Sequence, residues 1–377
     1  RGMDHIIIDV IYASFFYSIK IYDIMEKNRI FLCVLFLGLF FMSCNKDKII
    51  YADATLVDYD DFKEVVELKA ETIAGFDSLV LAPTHLCVYD SVLVTINKRT
   101  NKRIHVLNVN TKKKIAEHIS VGQGPGEMLL PRFVGNNGCK ILISDLIKST
   151  VAEYNMGDFF KPDEPLLMKS ISLQKPISGE VRLLKDGFIG DVSRNTSFLF
   201  YEFNRKGEIV DSIGRYPEAN WDVTDVEKNN MYSFAFTTNQ QDRLAVCYNW
   251  TDLIDIYDKE GHLLNRIHGP RYFASHFEEF NDGKVISSSR VKGKTRDAYF
   301  SPVNVGDEFW VLFSGKSESE DGYNILAEQI FVFGWDGTPR RILNLDKGVF
   351  AFTVNEKMKK IYGISDSPDF HILSFSY

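Results

Sequence analysis

The sequence has few cysteines, and their placement excludes a disulfide-stabilised small domain. It contains five, of which Cys33 lies inside an apolar segment and Cys44 directly follows that segment. The other three, Cys87, Cys139 and Cys247, are an odd number among apolar neighbours. That pattern favours buried free thiols, with a bridge between Cys87 and Cys139 as the alternative. No CxxC pair and no Cys/His cluster has the spacing of a zinc site.

A basic surface is also lacking. Lys and Arg number 44 against 51 Asp and Glu, which gives a net charge of −7, and the two signs are interspersed along the chain. Because nucleic-acid binding needs a basic patch or stripe to meet the phosphates, no nucleic-acid partner is predicted.

The motifs of common catalytic sites are missing as well. There is no GxSxG elbow, no HExxH, no Dx[DN]xDG loop and no sialidase-type Ser-x-Asp-x-Gly-x-Thr-Trp turn. Residues 289–292 fit SxxK, but their surroundings alternate like a strand, whereas that pair needs a helical turn. The glycine-rich stretch VGQGPGEMLLPRF, residues 121–133, has neither dinucleotide nor Walker spacing, and a proline and a strand follow it instead of a helix. No catalytic residue, metal ligand or nucleotide is therefore predicted.

The start of the chain contains the pattern of an export signal. Met25 begins a short basic lead into the apolar residues 30–42, a run too short to span a bilayer. Phe41-Met42-Ser43-Cys44 resembles the lipobox of bacterial lipoproteins, in which the cysteine is acylated after cleavage, although Phe41 stands where Leu is usual. An ordinary secretory signal is the alternative.

These patterns divide the chain into four segments. We expect an extension outside the mature protein, a signal peptide, a flexible tether that begins at the acylated Cys44, and a folded domain, over residues 1–24, 25–43, 44–61 and 62–377. Such an anchor predicts a location in the cell envelope, on the periplasmic side of the outer membrane or at the cell surface.

The folded part is rich in short apolar runs that return through turns. Runs such as SVLVTI and EFWVLF are bounded by turn residues, and no long stretch has a 3.6-residue period, which predicts an all-β domain. Five turns, most of them Asn or Asp followed by Gly, lie 46, 50, 54 and 76 residues apart. About 40 to 50 residues per four strands is the size of a β-propeller blade. The turns are centred on Thr111, Gly157, Gly207, Gly261 and Gly337.

The chain ends in a way that predicts how the ring closes. The last run, SPDFHILSFSY, is a sixth copy that lacks its returning strand. Residues 63–73, KEVVELKAETI, alternate apolar and polar and precede the first blade. We therefore predict a six-bladed β-propeller closed by an N-terminal strand that completes the last blade and leaves no unpaired edge there. The 76-residue interval holds an insertion between about residues 269 and 300.

Several segments together resemble a known family. VGQGPGE after the first hairpin, IGRYP after the third and IFVFGWDGTPRRILNLD near the C-terminus are similar to the TolB-like six-bladed propeller lipoproteins of Gram-negative gut anaerobes. The resemblance covers nearly the whole mature chain. It implies the fold far more than a function, because most members have no established activity.

The glycine-rich stretch also resembles the blade-to-blade connector of NHL-type propellers. There the chain crosses from the rim to the axis through tight turns, and Gly122, Gly124, Gly126, Glu127 and Pro131 would form that connector. Glu127 would bond backbone amides in the connector or point to the mouth of the ring.

Candidate ligand contacts come from the two longest loops. Propeller ligands bind at the axial mouth, and exposed aromatic and Arg side chains form recognition surfaces. His85 and His276 lie near the predicted starts of inner strands, but packing or solvation is a commoner role for such residues than catalysis. The candidates in the long loops are Tyr216, Trp221, Tyr232, Arg271, Tyr272, Arg290 and Arg296.

These observations favour a membrane-anchored, non-catalytic propeller that binds a protein, a small molecule or a glycan. The alternative is a hydrolase or lactonase with an axial metal. No cofactor is predicted, and calcium is the ion that this alternative would need.

Overall fold

The computed structural model describes the following residues: 50–73, 82–163, 165, 167–192, 197–283, 286–320 and 324–377. The predicted upstream extension, the signal peptide and Cys44 lie outside the described residues. Within the described ranges, no helix has both the length and the apolar character needed to cross a bilayer.

The described residues form six sheets built from consecutive strands, which are the blades of a propeller. Blades 1 to 3 consist of Pro83–Tyr89, Val92–Asn97, Lys102–Asn108 and Lys113–Ser120; Pro131–Asn137, Lys140–Asp145, Thr150–Asn155 and Leu167–Ser172; and Val181–Leu183, Gly187–Asp191, Phe200–Asn204 and Ile209–Ile213. Blades 4 to 6 consist of Phe234–Thr238, Arg243–Tyr248, Leu253–Asp258 and Leu263–His268; Tyr299–Val305, Glu308–Phe313, Ala327–Gly334 and Pro339–Val349; and Ala351–Asn355, Lys360–Ser365 and His371–Ser376. The predicted all-β fold and the count of six blades are confirmed.

The part of the chain that the structure describes contains a few further elements besides the blade strands given above. They are three short N-terminal strands, one two-stranded hairpin and three short helices. The strands are Thr55–Leu56, Glu64–Leu68 and Ala70–Thr72; the hairpin is Phe277–Asn281 with Ile286–Arg290; the helices are the 3-10 turn Tyr59–Asp61 and the α-helices Met156–Phe159 and Asp225–Met231.

Middle strands are buried on both faces because each blade packs between two others. In the second strand of blade 5, Val311 packs in a cluster with Ile254 of blade 4, whereas Leu312 packs with Ile361 of blade 6. Successive side chains of a strand point to opposite faces, so a strand buried on both faces needs a nearly continuous apolar run. This explains runs such as EFWVLF.

Four of the five predicted turns are hairpin turns. Gly207, Gly261 and Gly337 have φ values of 85°, 80° and 88°, which a residue without Cβ adopts at little cost. The amide of Thr111 donates to the side chain of Asn108 at 2.9 Å. The prediction at Gly157 was wrong: this glycine lies in the helix Met156–Phe159, which joins the last two strands of blade 2.

The predicted closing strand is confirmed for only part of its length. Ala70–Thr72 pair antiparallel with Leu373–Phe375 and complete blade 6. Glu64–Leu68 instead pair in parallel with residues 341–345, on the outer edge of blade 5. The amide of Ala70 donates to Asp346 at 2.7 Å, where the chain passes from one blade to the other.

The packed structure begins earlier than predicted, since residues 51–61 belong to it and not to a flexible tether. Tyr51 is only 1% exposed, and Thr55–Leu56 pair in parallel with residues 267–268 of blade 4. Phe62 packs against Phe331 of blade 5 in a tilted arrangement, at a centroid distance of 5.0 Å. Residues 51–72, which we call the N-terminal strap, thus contact the outer strands of blades 4, 5 and 6 in turn.

The three cysteines of the propeller are free, as predicted, and Cys87 and Cys139 are not bridged. Cys247 is buried and Cys87 half-buried. Cys139 is exposed, so the expectation of a buried thiol was wrong at that position.

Candidate functional site

A cavity lined by both polar and apolar side chains, which we call the axial channel, lies between the first strands of the blades. Its volume is about 350 Å³, and all six blades contribute to its wall. Cavities of this order hold small molecules in other proteins when a few polar groups converge in them. Six of its polar lining residues are Thr84, His85, Glu180, Arg182, Thr237 and Gln240.

Glu180 and Arg182 are the charged residues in the wall of the channel, and Arg132 lies next to that wall. Arg182 donates to Glu180 at 2.6 Å and to the carbonyl oxygen of Phe133 at 2.8 Å. Arg132, one residue before the lining Phe133, is half-buried and donates to the carbonyl oxygen of Pro131 at 2.8 Å. Among the described residues, no carboxylate forms an ion pair with Arg132. Burial lowers the pKa of the Arg132 guanidinium, Glu180 opposes this effect, and Arg182 adds to it.

His85 lies in the first strand of blade 1 and faces these charges. Burial, together with the positive charges of Arg132 and Arg182, lowers its pKa to about 3. Its Nδ1 lies 2.9 Å from the hydroxyl of Thr84. The imidazole is therefore neutral at physiological pH, and the arginines supply the fixed positive charge of the channel.

Asp191 supports the segment that carries Glu180 and Arg182. Its carboxylate accepts hydrogen bonds from the amides of Gly179 at 3.0 Å and Glu180 at 2.6 Å. Burial raises the pKa of Asp191 to about 6 despite these bonds. Above that pH, folding keeps a carboxylate in surroundings that favour the neutral acid.

We therefore expect Asp191 to make stability depend on pH. A folded pKa of about 6 against 3.8 unfolded means that the native state holds the proton more tightly, so stability falls as pH rises from about 4 to about 6. The fall amounts to about 3 kcal/mol. Asp191→Asn keeps an acceptor for the amides and removes the titration. Urea denaturation of both proteins at pH 4 and pH 7 measures the difference, and parallel pH profiles would contradict the assignment.

The glycine-rich connector between blades 1 and 2 closes on the Glu127 side chain. The amide of Gly124 donates to the Glu127 carboxylate at 2.8 Å, and a Cβ at position 122 would lie 2.0 Å from that carboxylate. Only Gly126 of the three glycines has a positive φ, 78°. Glycine is thus needed at position 122 because a Cβ would collide with Glu127, and it is favoured at position 126 because of the positive φ. Pro131 begins the first strand of blade 2, at the end of the connector.

A coupled substitution tests this connector. Gly122→Ala is expected to push Glu127 off the Gly124 amide and to cost about 1 to 2 kcal/mol of unfolding free energy. In a Glu127→Ala background the same substitution is expected to cost little, because the side chain it would displace is gone. Urea midpoints of the two single variants and the double variant give the coupling. Additive costs would show that the contact is unimportant.

The two longest loops fold against each other, and we call residues 214–233, 269–283 and 286–298 together the loop cap. Asn230 of the helix Asp225–Met231 donates to the hydroxyl of Ser288 at 2.7 Å, and that hydroxyl donates to the carbonyl oxygen of Val226 at 3.0 Å. Thr224 also bonds Glu279. The third-blade loop and the insertion are therefore one packed unit.

The loop cap holds most of the predicted aromatic contacts in packing roles. Tyr232 is 1% exposed, with ring centroids 6.4 Å from Tyr51 and 6.2 Å from Tyr216. The Tyr272 ring lies 5.6 Å from that of the buried His268. Trp221 is 39% exposed and lines a cleft of about 290 Å³ in the cap.

The predicted arginine contacts are bonded within the protein. Arg271 and Arg296 both donate to the carbonyl oxygen of Gly315, at 2.6 and 2.9 Å. Arg290 lies 4.3 Å above the Trp250 ring and pairs with Glu318 at 3.0 Å. Arg271 and Arg296 therefore meet at one backbone oxygen, and Arg290 is held by Trp250 and Glu318.

The residues that line the axial channel differ in part from those predicted from the sequence. His85 lies in the channel, as expected, whereas His276 lines the cleft of the loop cap. Sequence reasoning missed Arg132, Glu180 and Arg182, although each lies at or next to the start of a first strand. Within the described ranges, no three His, Cys, Asp or Glu side chains group as metal ligands would.

Six blades around an axial cavity place the chain in the class of six-bladed β-propellers. Residues 61–357 match the family model described as TolB-like 6-blade propeller-like, and the chain belongs to this family. The predicted family is thereby confirmed. No curated protein sequence matches the chain significantly.

Solved structures share this fold at low sequence identity. A member of the DUF4221 family from Bacteroides vulgatus is 12% identical, with a TM-score of 0.50 over 78% of this chain and 91% of that one. A protein of Bacteroides fragilis, described as a candidate exported protein, is 14% identical, with a TM-score of 0.41 over 83% and 99% of the two chains. At such identities the likeness concerns the fold alone.

Proposed function

We propose that the protein is a non-catalytic binding propeller of the cell envelope, anchored by a lipid on Cys44, that holds a small polar ligand in its axial channel. The observation that carries the proposal is a cavity of about 350 Å³ that is walled by all six blades and lined by polar and charged side chains among apolar ones. Ligand sites are typically concave, of this order of size, and contain a few convergent polar groups. The lipobox-like residues 41–44 support the anchor.

The reactive groups of the channel favour binding over catalysis. Burial raises the pKa of the Cys87 thiol well above its usual range, so the sulfur stays protonated and weakly nucleophilic. The pKa of about 3 makes His85 a poor general base near neutral pH. The pKa values of the Cys87 thiol and the His85 imidazole are thus both shifted in the direction that makes a nucleophile or a general base less effective.

The charge of the channel also disfavours the alternative, a hydrolase with an axial calcium ion. The positive charges of Arg132, Arg182 and Lys98 all act on His85 in the channel wall, and they would repel a bound cation. A saturable, chelator-reversible rise of the melting temperature with calcium would favour the alternative.

Equilibrium dialysis against a defined library of small metabolites, read by mass spectrometry, tests the proposal. The library holds organic acids, sugar phosphates, neutral sugars, amino acids and amines. We expect at least one class to be enriched by the protein and lost in Ala235→Phe, because Ala235 lines the channel and a phenyl group there occupies it. Ala52→Phe, at an exposed alanine of the strap, is the matched control and should bind normally.

Two results would count against the proposal. One is that no class is enriched by the wild-type protein; the other is that Ala235→Phe retains all binding. Near-UV circular dichroism of both variants shows whether a loss of binding reflects misfolding.

A further inference from the structure

We infer that the ligand of the axial channel is a small organic anion, a carboxylate or a phosphate ester, held by Arg132 and Arg182. This inference rests on the proposed function, since it names the chemical class that the channel accepts. It follows from the charges that the fold places at the channel wall and from Arg132, which forms no ion pair with a described carboxylate.

The charge balance is the first step. Arg182 has Glu180 as its partner at 2.6 Å, with side-chain exposures of 20% and 21%. Arg132 is half-buried like them, but among the described residues only the backbone oxygen of Pro131 accepts a hydrogen bond from its guanidinium. A buried charge without a partner is unfavourable. An anion in the channel would neutralise the charge of the Arg132 guanidinium. The guanidinium therefore favours anions over neutral molecules as ligands.

Geometry is the second step. The Arg182 side chain reaches across to the carbonyl oxygen of Phe133, the residue after Arg132, so the two arginines belong to adjacent first strands in contact. Both guanidinium groups influence His85, which lines the same cavity. Guanidinium groups bind planar carboxylates and phosphates through paired N–H donors. A pair of them on neighbouring blades forms a site for one anionic group.

The rest of the wall defines the rest of the ligand. Thr84, Thr237 and Gln240 offer hydroxyl and amide groups, and neutral His85 offers one donor and one acceptor. These groups recognise hydroxyl or carbonyl groups without adding charge. A cavity of about 350 Å³ equals roughly ten water volumes. The expected ligand is a hydroxylated acid or sugar phosphate of that size, bound by its charged end at the arginines.

The dialysis experiment separates this inference from the proposed function when three arginine variants are added. Arg132→Gln removes the unmatched charge without breaking an ion pair, Arg132→Lys keeps the charge, and Arg243→Gln removes an equal charge outside the channel, where Arg243 pairs with Asp242 at 2.9 Å. We expect enrichment of organic acids or sugar phosphates, a loss of at least about tenfold in affinity for Arg132→Gln, partial retention for Arg132→Lys and no change for Arg243→Gln.

Each outcome decides between the two statements. If only neutral sugars or amines are enriched, and Ala235→Phe loses this enrichment, the inference of an anionic ligand is wrong but the proposed binding function holds. An enriched anion whose affinity is unchanged in Arg132→Gln would overturn the role of the arginines. No enrichment of any class counts against both statements. Acids and sugar phosphates in separate arms show which of the two anionic groups is preferred.

Discussion

A chain that begins at residue 74 is expected to lose the cooperative unfolding transition of the chain that begins at residue 50. The truncation removes the N-terminal strap and leaves residues 373–375 of blade 6 and residues 341–345 of blade 5 as unpaired outer edges. Exposed edges of this kind promote association of sheets. We therefore expect aggregation together with loss of the native fold.

The expected size of the effect follows from what the strap buries. Tyr51, Val57, Phe62 and Leu68 are each at most 6% exposed. Burying a large apolar side chain contributes roughly 1.5 to 3 kcal/mol, so the four together approach the stability of a whole domain, about 5 to 15 kcal/mol. The measurement is urea denaturation followed by circular dichroism, with size-exclusion chromatography to detect aggregates.

A shorter truncation is the matched control. A chain that begins at residue 69 keeps Ala70–Thr72, and with it the closure of blade 6, but lacks the strand pairings with blades 4 and 5. We expect it to fold with a lowered urea midpoint. Equal midpoints for the chains beginning at residues 50 and 74 would show that the strap is dispensable and that the ring holds without its fourth strand in blade 6.

The strap also shows how far the sequence could predict the fold. The blade count came from hairpin turns, which depend on local chemistry: Gly207, Gly261 and Gly337 lie where the backbone needs positive φ. The partner of residues 63–73 does not depend on local chemistry. Alternation identifies the face that a strand buries, but the same alternation suits the edge of blade 5 and the edge of blade 6. Only the folded ring assigns Glu64–Leu68 to one and Ala70–Thr72 to the other.

The candidate site was harder to predict for a related reason. Arg132 and Arg182 occupy polar positions in short strands, which by alternation alone would indicate a solvent-facing side. Ring closure turns that side into the wall of a channel. Tyr232 and Arg271 suggested recognition because they lie in long loops, yet these loops fold against the propeller and use such side chains for their own packing. Loop length alone did not identify the groups that stay available to a ligand.

The largest effect of a single substitution is expected at Arg266. Its Nε and Nη2 donate to the two oxygens of Asp255 at 2.6 and 2.8 Å, and Asp255 is completely buried. The hydroxyls of Tyr248 and Tyr257 complete the environment of that carboxylate at 3.0 and 3.2 Å. Nη1 of Arg266 donates to Asp53 of the N-terminal strap at 2.7 Å. One guanidinium thus joins the core of blade 4 to the strap.

Arg266→Met is expected to lower the unfolding free energy by about 3 to 5 kcal/mol at pH 7, because it leaves Asp255 buried without its counter-charge. Burial already raises the pKa of Asp255, and Arg266 opposes that rise. Without the arginine the pKa of Asp255 rises further, so part of the loss should be recovered at acidic pH, where the carboxyl is neutral.

Arg243→Met, which breaks the exposed pair with Asp242, is expected to cost no more than about 1 kcal/mol. The double variant Arg266→Met/Asp255→Leu should be more stable than Arg266→Met alone, since no buried charge is left unmatched. If both single arginine variants unfold at the same urea concentration, the buried pair has no special role in holding the strap to the ring.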